Sequence, residues 1–209
     1  MTKKLKATNQ NTATDQPLSG FSEPVHDAQR VFRSVLDAMS QPGKIVGLEQ
    51  LNPAPAPLNK VTAAICLSLV DHETPIWSDY AIAASGQAMS HLQFHCSCPM
   101  TANPKDARTA LISECSTLTT LTQFCVGTDE RPDLSSTVII QVGGLSTDKG
   151  VQLTGPGIKS KRNLSVAGID EGFWLAVQAN AELFPRGVDL ILTTESEMVC
   201  LPRTTQVEI

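Results

Sequence analysis

The sequence predicts an α/β fold, a single layered αβα domain built on a mixed sheet. Three observations predict it. Segments with helical apolar spacing interleave with short strand-like runs, the pattern of helices laid against a sheet. Thr137-Val138-Ile139-Ile140-Gln141-Val142 is β-branched and bounded by turn residues, which makes it the clearest strand. The chain has 209 residues, 41% of them hydrophobic, enough for one sizeable core.

Residues 1–20 are polar, rich in Thr, Asn and Gln, and have almost nothing to bury. Such a stretch cannot offset its ordering entropy, so it is expected as a disordered tail ahead of one domain over 21–209. Val25, Ala28, Val31, Phe32, Val35, Leu36 and Met39 fall on one face of a helix that Pro24 opens and Pro42-Gly43 stops. Ile45–Leu48 reads as a short strand, and the Pro-Ala alternation over 52–57 as a stiff connector. Leu58–Val70 is apolar nearly all round, a buried helix.

A turn at Asp71–Pro75 leads to a strand at Ile76-Trp77. Leu92–Cys96 alternates and reads as a strand, Thr109–Ser113 as another, and Ser116–Phe124 as a short helix with a serine cap. Val151–Thr154 is expected to pair as a hairpin with the 137–142 strand. Asp170–Leu183 has helical spacing through Phe173, Trp174, Val177 and Ala181. Val188–Leu192 and Met198–Leu201 close the chain as two strands.

The net charge is −5, which argues against a broad basic face for nucleic acid. Two Trp, one Tyr and six Phe leave little for base stacking. No apolar run approaches a membrane span, and Lys3, Lys4 and Lys6 precede no secretory core. Six irregularly spaced cysteines fit reduced thiols and a cytoplasmic protein.

Four constellations bear on chemistry. His91, His95, Cys96 and Cys98 are all zinc-ligand types, but on a strand the histidines and cysteines would face opposite ways, so no metal is expected. Gly143-Gly144 and Gly155-Pro156-Gly157 read as tight turns, since neither fits a phosphate-binding fingerprint. No nucleophile signature is present. Arg33, Arg186 and Arg203 lie beside turns or a helix, with Lys44 just past Pro42-Gly43. Fixed guanidiniums there could hold phosphate or phosphonate oxygens, or pair with local carboxylates such as Asp37 and Asp189. Lys159, Lys161 and Arg162 read as a solvated basic loop.

Five separated pieces occur in one order: Phe32-Arg33 through Pro42-Gly43, Asp71 with Thr74-Pro75 and Trp77, Leu153 through Ile158, Phe184-Pro185 with Gly187 and Asp189, and Pro202-Arg203-Thr204-Thr205. Together they resemble the phosphonate-metabolism PhnH family across about 24–209. The resemblance implies a fold similar to pyridoxal-phosphate-dependent transferases without the cofactor site, hence no cofactor. It also implies a homodimer and association with other carbon–phosphorus lyase subunits. The expected role is that of an accessory subunit, without catalytic groups of its own, in attaching ribose triphosphate from ATP to an alkylphosphonate. The alternative is an enzyme whose Arg33, Lys44, Arg186 and Arg203 bind a phosphonate or nucleotide phosphate directly.

Overall fold

A computed structural model describes residues 17–115, 118 and 120–209. The expected tail lies outside the described residues up to position 16. From there the elements run α1 (Pro24–Ser40), β1 (Val46–Gly47), α2 (Lys60–Leu69), β2 (Ile76–Ser78), α3 (Tyr80–Ala83), α4 (Gly86–Cys96) and β3 (Thr109–Ile112). They continue with β4 (Thr137–Gln141), β5 (Gly144–Thr154), β6 (Arg162–Ala167), α5 (Glu171–Ala181), β7 (Asp189–Thr193), β8 (Glu197–Leu201) and β9 (Gln206–Glu208).

Six strands form a mixed sheet in the order β1-β8-β7-β4-β3-β2. Strands β2, β3, β4 and β7 are parallel neighbours, whereas β8 runs antiparallel to β7 and β1 antiparallel to β8. The central strands are buried on both faces, so they read as continuous apolar runs. Their alternation still sorts the core. Ala110, Ile112, Val138, Ile140, Leu190, Leu192, Val199 and Leu201 face one cluster with Phe173, Trp174 and Val177 of α5. Leu111, Ile139, Ile191, Met198 and Cys200 face a second, with Val31 and Val35 of α1, Ile65 of α2 and Leu92 of α4.

The α/β class and mixed sheet are therefore as expected, but the layers are not symmetric. One face carries α1, α2 and α4. The other carries α5 and a second, antiparallel sheet in the order β6-β5-β9. The hairpin expected between 137–142 and 151–154 is absent: β4 takes parallel partners on both sides, and β5 turns into the second sheet to pair with β6 and β9.

Leu92–Cys96 is not a strand but the last part of α4. Ser85 caps that helix through Oγ, which accepts from Ala88 N at 3.3 Å. Ala88, Leu92 and Cys96 are buried at successive turns, a four-residue repeat that the five-residue window of alternation hid. The helix expected over 116–124 lies partly outside the described residues, and Leu121–Phe124 forms a turn. No described helix is long and apolar enough to cross a membrane.

Candidate functional site at the carboxyl edge of the parallel strands

In an open α/β sheet, loops leaving the carboxyl ends of parallel strands diverge and leave a crevice. Here Ser113–Cys115 after β3, Val142–Gly143 after β4 and Thr194–Glu195 after β7 line a cleft of about 330 Å³, with Pro57, Asn59, Ala167 and Gly168 opposite.

Its walls are tied together by polar side chains that are already fully employed. Asn59 caps α2, its Oδ1 accepting from Thr62 N at 2.7 Å, while Nδ2 donates to Thr193 O and Oγ1 at 3.3 and 3.1 Å. Gln141 accepts from Asn59 N through Oε1 at 2.5 Å and donates from Nε2 to Pro57 O at 2.8 Å. Asp79, the cap of α3, accepts from both N and Oγ of Ser113 at 2.6 Å. Burial, and secondarily the Asp170 carboxylate, pushes the Cys115 thiol up to about 12, so it is not a thiolate at neutral pH. Glu114 and Glu195 are exposed at the mouth, and no Lys or Arg is among the lining residues.

None of the four cations singled out in the sequence lines this cleft. Arg203 follows β8, at the amino edge of β7. Its Nε and Nη2 donate to the two carboxylate oxygens of Asp189 at 3.2 and 2.5 Å. Its Nη1 donates to Pro132 O at 2.9 Å and Pro185 O at 3.4 Å, and Nη2 also reaches Ser135 Oγ at 2.5 Å. The expected pairing with Asp189 is present. Arg186 sits on the same loop edge and pairs with Asp129 at 3.3 Å.

Lys44 pairs with Asp37 at 2.7 Å, holding that carboxyl below its usual range. The carboxylate suggested as Arg33's partner is thus taken by Lys44, and Arg33 is exposed on α1 with no ion pair among the described residues.

The basic loop is not simply solvated. Arg162 donates from Nη1 to Gln41 O and Pro42 O at 2.9 and 2.6 Å, and Lys161 pairs with Glu208 at 2.7 Å. Gly157, at φ +82°, abuts the Ser40 carbonyl and so belongs to a structural turn. On α4, His91 and His95 lie one turn apart on the same side, with ring centroids 4.6 Å apart, so the opposed-face geometry expected of a strand does not apply. Among the described residues no three His, Cys, Asp or Glu side chains are placed to hold a metal ion.

Comparison with known proteins settles the lineage. A family-wide profile described as "Bacterial phosphonate metabolism protein (PhnH)" matches residues 19–208. The chain belongs to the PhnH family. Within it, the "Alpha-D-ribose 1-methylphosphonate 5-triphosphate synthase subunit PhnH" of Rhizobium meliloti (strain 1021) is 37% identical over 198 residues, covering 94% of this chain and 98% of the relative. A shorter match, 39% identical over 84 residues, links 40% of this chain to 43% of the "Putative C-P lyase subunit protein HtxG" of Stutzerimonas stutzeri. The PhnH match takes in both edges of the large sheet, the cleft and the Arg203 clamp alike.

Residues missed in the sequence include Asn59, Gln141, Glu114 and Glu195. The signal available was positional, since three recognised strands end just before the cleft-lining loops. What was lacking was the strand order that places those ends side by side.

Proposed function

We propose that this chain is a subunit of a carbon–phosphorus lyase assembly in organic phosphonate catabolism. It acts with partner subunits in transferring ribose triphosphate from ATP to an alkylphosphonate and supplies no catalytic group of its own. The observation that carries this reading is the 37% identity, over 94% of the chain, to a subunit of a ribose 1-methylphosphonate 5-triphosphate synthase. The site chemistry is in keeping: the cleft's amides and Ser113 hydroxyl serve as wall bonds, and Cys115 is held as a thiol. The same proposal includes a cytoplasmic homodimer and a variant of the pyridoxal-phosphate transferase fold without that cofactor's site.

An interaction role is supported by α1. Val31, Val35 and Ala38 are buried, yet Val25, Phe32 and Leu36 on the adjoining face are 78%, 44% and 52% exposed. Apolar side chains at this spacing form a stripe suited to a protein partner. The second reading, an anion-binding enzyme using Arg33, Lys44, Arg186 and Arg203, draws on Arg33, whose guanidinium is exposed without an ion-pair partner among the described residues.

Co-expression with the partner subunits, followed by native mass measurement, tests the subunit reading: a stoichiometric complex is expected, and a lone homodimer contradicts it. Alanine substitution at the four cations then separates the two readings. Activity losses that track lost assembly support the accessory role, whereas lost turnover in an intact complex supports the enzyme.

A further inference from the structure

His91 is 1% exposed on the buried side of α4, and neither of its ring nitrogens has a hydrogen-bond partner among the described residues. A neutral imidazole carries one donor and one acceptor, so both needs go unmet, which is rare for a buried polar group. The segment Leu18–Phe21, which precedes α1, lies over this ring: Ser19, Gly20, Phe21 and His91 line one small cavity, with Ala64 and Leu67 of α2 on another side.

Few bonds fasten that segment. His95 donates from Nε2 to Leu18 O at 2.9 Å, Asn52 donates from Nδ2 to Gly20 O, and Ser22 Oγ donates to Asn52 Oδ1 at 3.2 Å. Phe21 adds a partly buried ring packed on the second core cluster. Gly20 passes so close to His95 that a Cβ there would stand 3.0 Å from ring Nδ1. The segment is thus bonded to one histidine while it buries the other, and the two ring centroids are 4.6 Å apart.

Protonation would make both His91 nitrogens donors where little can receive them. The Leu18 carbonyl, the one acceptor that favours the charged ring, is already bonded to His95. Of the groups facing His91, α4 brings His95, α2 brings Lys60 and the Cys66 thiol, and neither the segment nor residues 50–53 bring an ionisable side chain. On α1, which packs against α2, the carboxylates Asp27 and Asp37 are paired with Arg30 and Lys44. No carboxylate on these elements is left to offset a charge at His91, and burial, then His95, hold its pKa below the ordinary value.

We propose that Leu18–Phe21 is an acid-released strap. When His91 takes up a proton, the strap lifts from α2 and α4 while the rest of the domain stays folded, uncovering Phe21 and the apolar side of α2 beneath it. With the strap lifted, water reaches His91, which then binds a proton at about its ordinary pKa of 6.5. The lifted form is therefore the better proton acceptor, and its population grows as pH falls through about 6.5.

Two-dimensional NMR of the isotope-labelled full chain tests this. Relaxation dispersion at the Gly20 and Phe21 amides reads the lifted population, and the His91 ring shifts read its titration. From pH 7.5 to pH 5.5 that population should rise several-fold, at most about tenfold, while the amides of β4 and α5 stay unchanged. His91→Leu should remove the rise, whereas His95→Gln should loosen the strap at both pH values and keep it. If His91→Leu does not fold, the wild-type data decide, because strap lifting and His91 titration must share one midpoint. Equal populations at the two pH values, separate midpoints, a rise unaltered in His91→Leu, or β4 amides that open in step with the strap would each overturn the inference.

Discussion

Replacing Arg203 by alanine should cost the fold about 2–3 kcal/mol. Its side chain is 15% exposed, and that of Asp189 26%. The guanidinium makes a forked pair with Asp189 and also caps Pro132 O, Pro185 O and Ser135 Oγ, joining three loops at the amino edge of β7. Removing one member of a fully buried ion pair costs about 3–5 kcal/mol. A hydrogen bond to a charged group contributes about 1.5–3 kcal/mol. The figure here falls below the buried-pair range for two reasons. Asp189 remains partly wet, and it keeps the bond from Arg203 N at 2.9 Å whatever the side chain. Lysine cannot form the fork, so Arg203→Lys should lose about half as much. Urea unfolding of wild type, Arg203→Ala, Asp189→Ala and the double variant measures both the loss and the coupling, expected at about 1–3 kcal/mol. An Arg203→Ala protein within about 0.5 kcal/mol of wild type would refute the clamp. If that variant also lost turnover in an intact complex, Arg203 would belong to an anion site instead.

Three further outcomes are expected. Burial and the neighbouring His95 hold His91 below its ordinary pKa, so the unfolded chain takes up the proton first and stability falls as pH drops below about 6.5. The Tm of wild type should therefore decline more steeply from pH 8 to pH 5 than that of His91→Leu, and equal slopes would contradict this. Burial pushes Cys66 up to about 12 and raises Cys200, the hydrogen bond between Cys96 and Cys98 raises Cys96 and lowers Cys98, and only Cys125 of the six cysteines is not buried. Ellman's reagent should accordingly titrate one thiol rapidly and the other five only after unfolding; two or more fast thiols in the native protein would be inconsistent. Replacing Phe32 and Leu36 together by serine should shift stability by no more than about 1 kcal/mol while reducing dimer or complex formation in native mass measurement. Unchanged assembly would remove α1 from the interface.

Much of the fold was legible because its signals are local. The periodicity of α1, the Asn-capped α2, the β-branched β4 and the closing β7–β8 pair each lie within one window of sequence. The failures came where local patterns are degenerate. Leu92–Cys96 alternates over five residues yet belongs to an eleven-residue helix, and only Ser85 and Ala88 upstream disclose the longer repeat. The misassigned hairpin arose because proximity in sequence favoured pairing β4 with β5, whereas β4 is satisfied by β3 and β7 on either side. The cleft was invisible for the same reason: Ser113, Val142 and Thr194 become neighbours through strand order, which no window contains.

The motifs that carry the family resemblance behave differently, because the fold joins four of the five in pairs. The Gly187–Asp189 and Pro202-Arg203 pieces meet in a single clamp, where Asp189 receives the fork and a Cβ at Gly187 would lie 3.3 Å from Arg203 Cβ. The Pro42-Gly43 turn meets the 153–158 piece. Gly43, at φ +76°, would bring a Cβ within 2.5 Å of Leu153 Cδ1, and Gly157 abuts Ser40 O. Asp71 closes its own turn, accepting from Thr74 Oγ1 at 2.8 Å ahead of Pro75. Four of the five pieces therefore meet as two pairs of distant segments, while the Asp71 piece closes on itself. That accounts for a signature strong enough to reveal the family while saying little of its chemistry. It marks the joints of the scaffold, while the cleft at the opposite edge of the parallel strands is lined by residues that the signature does not include.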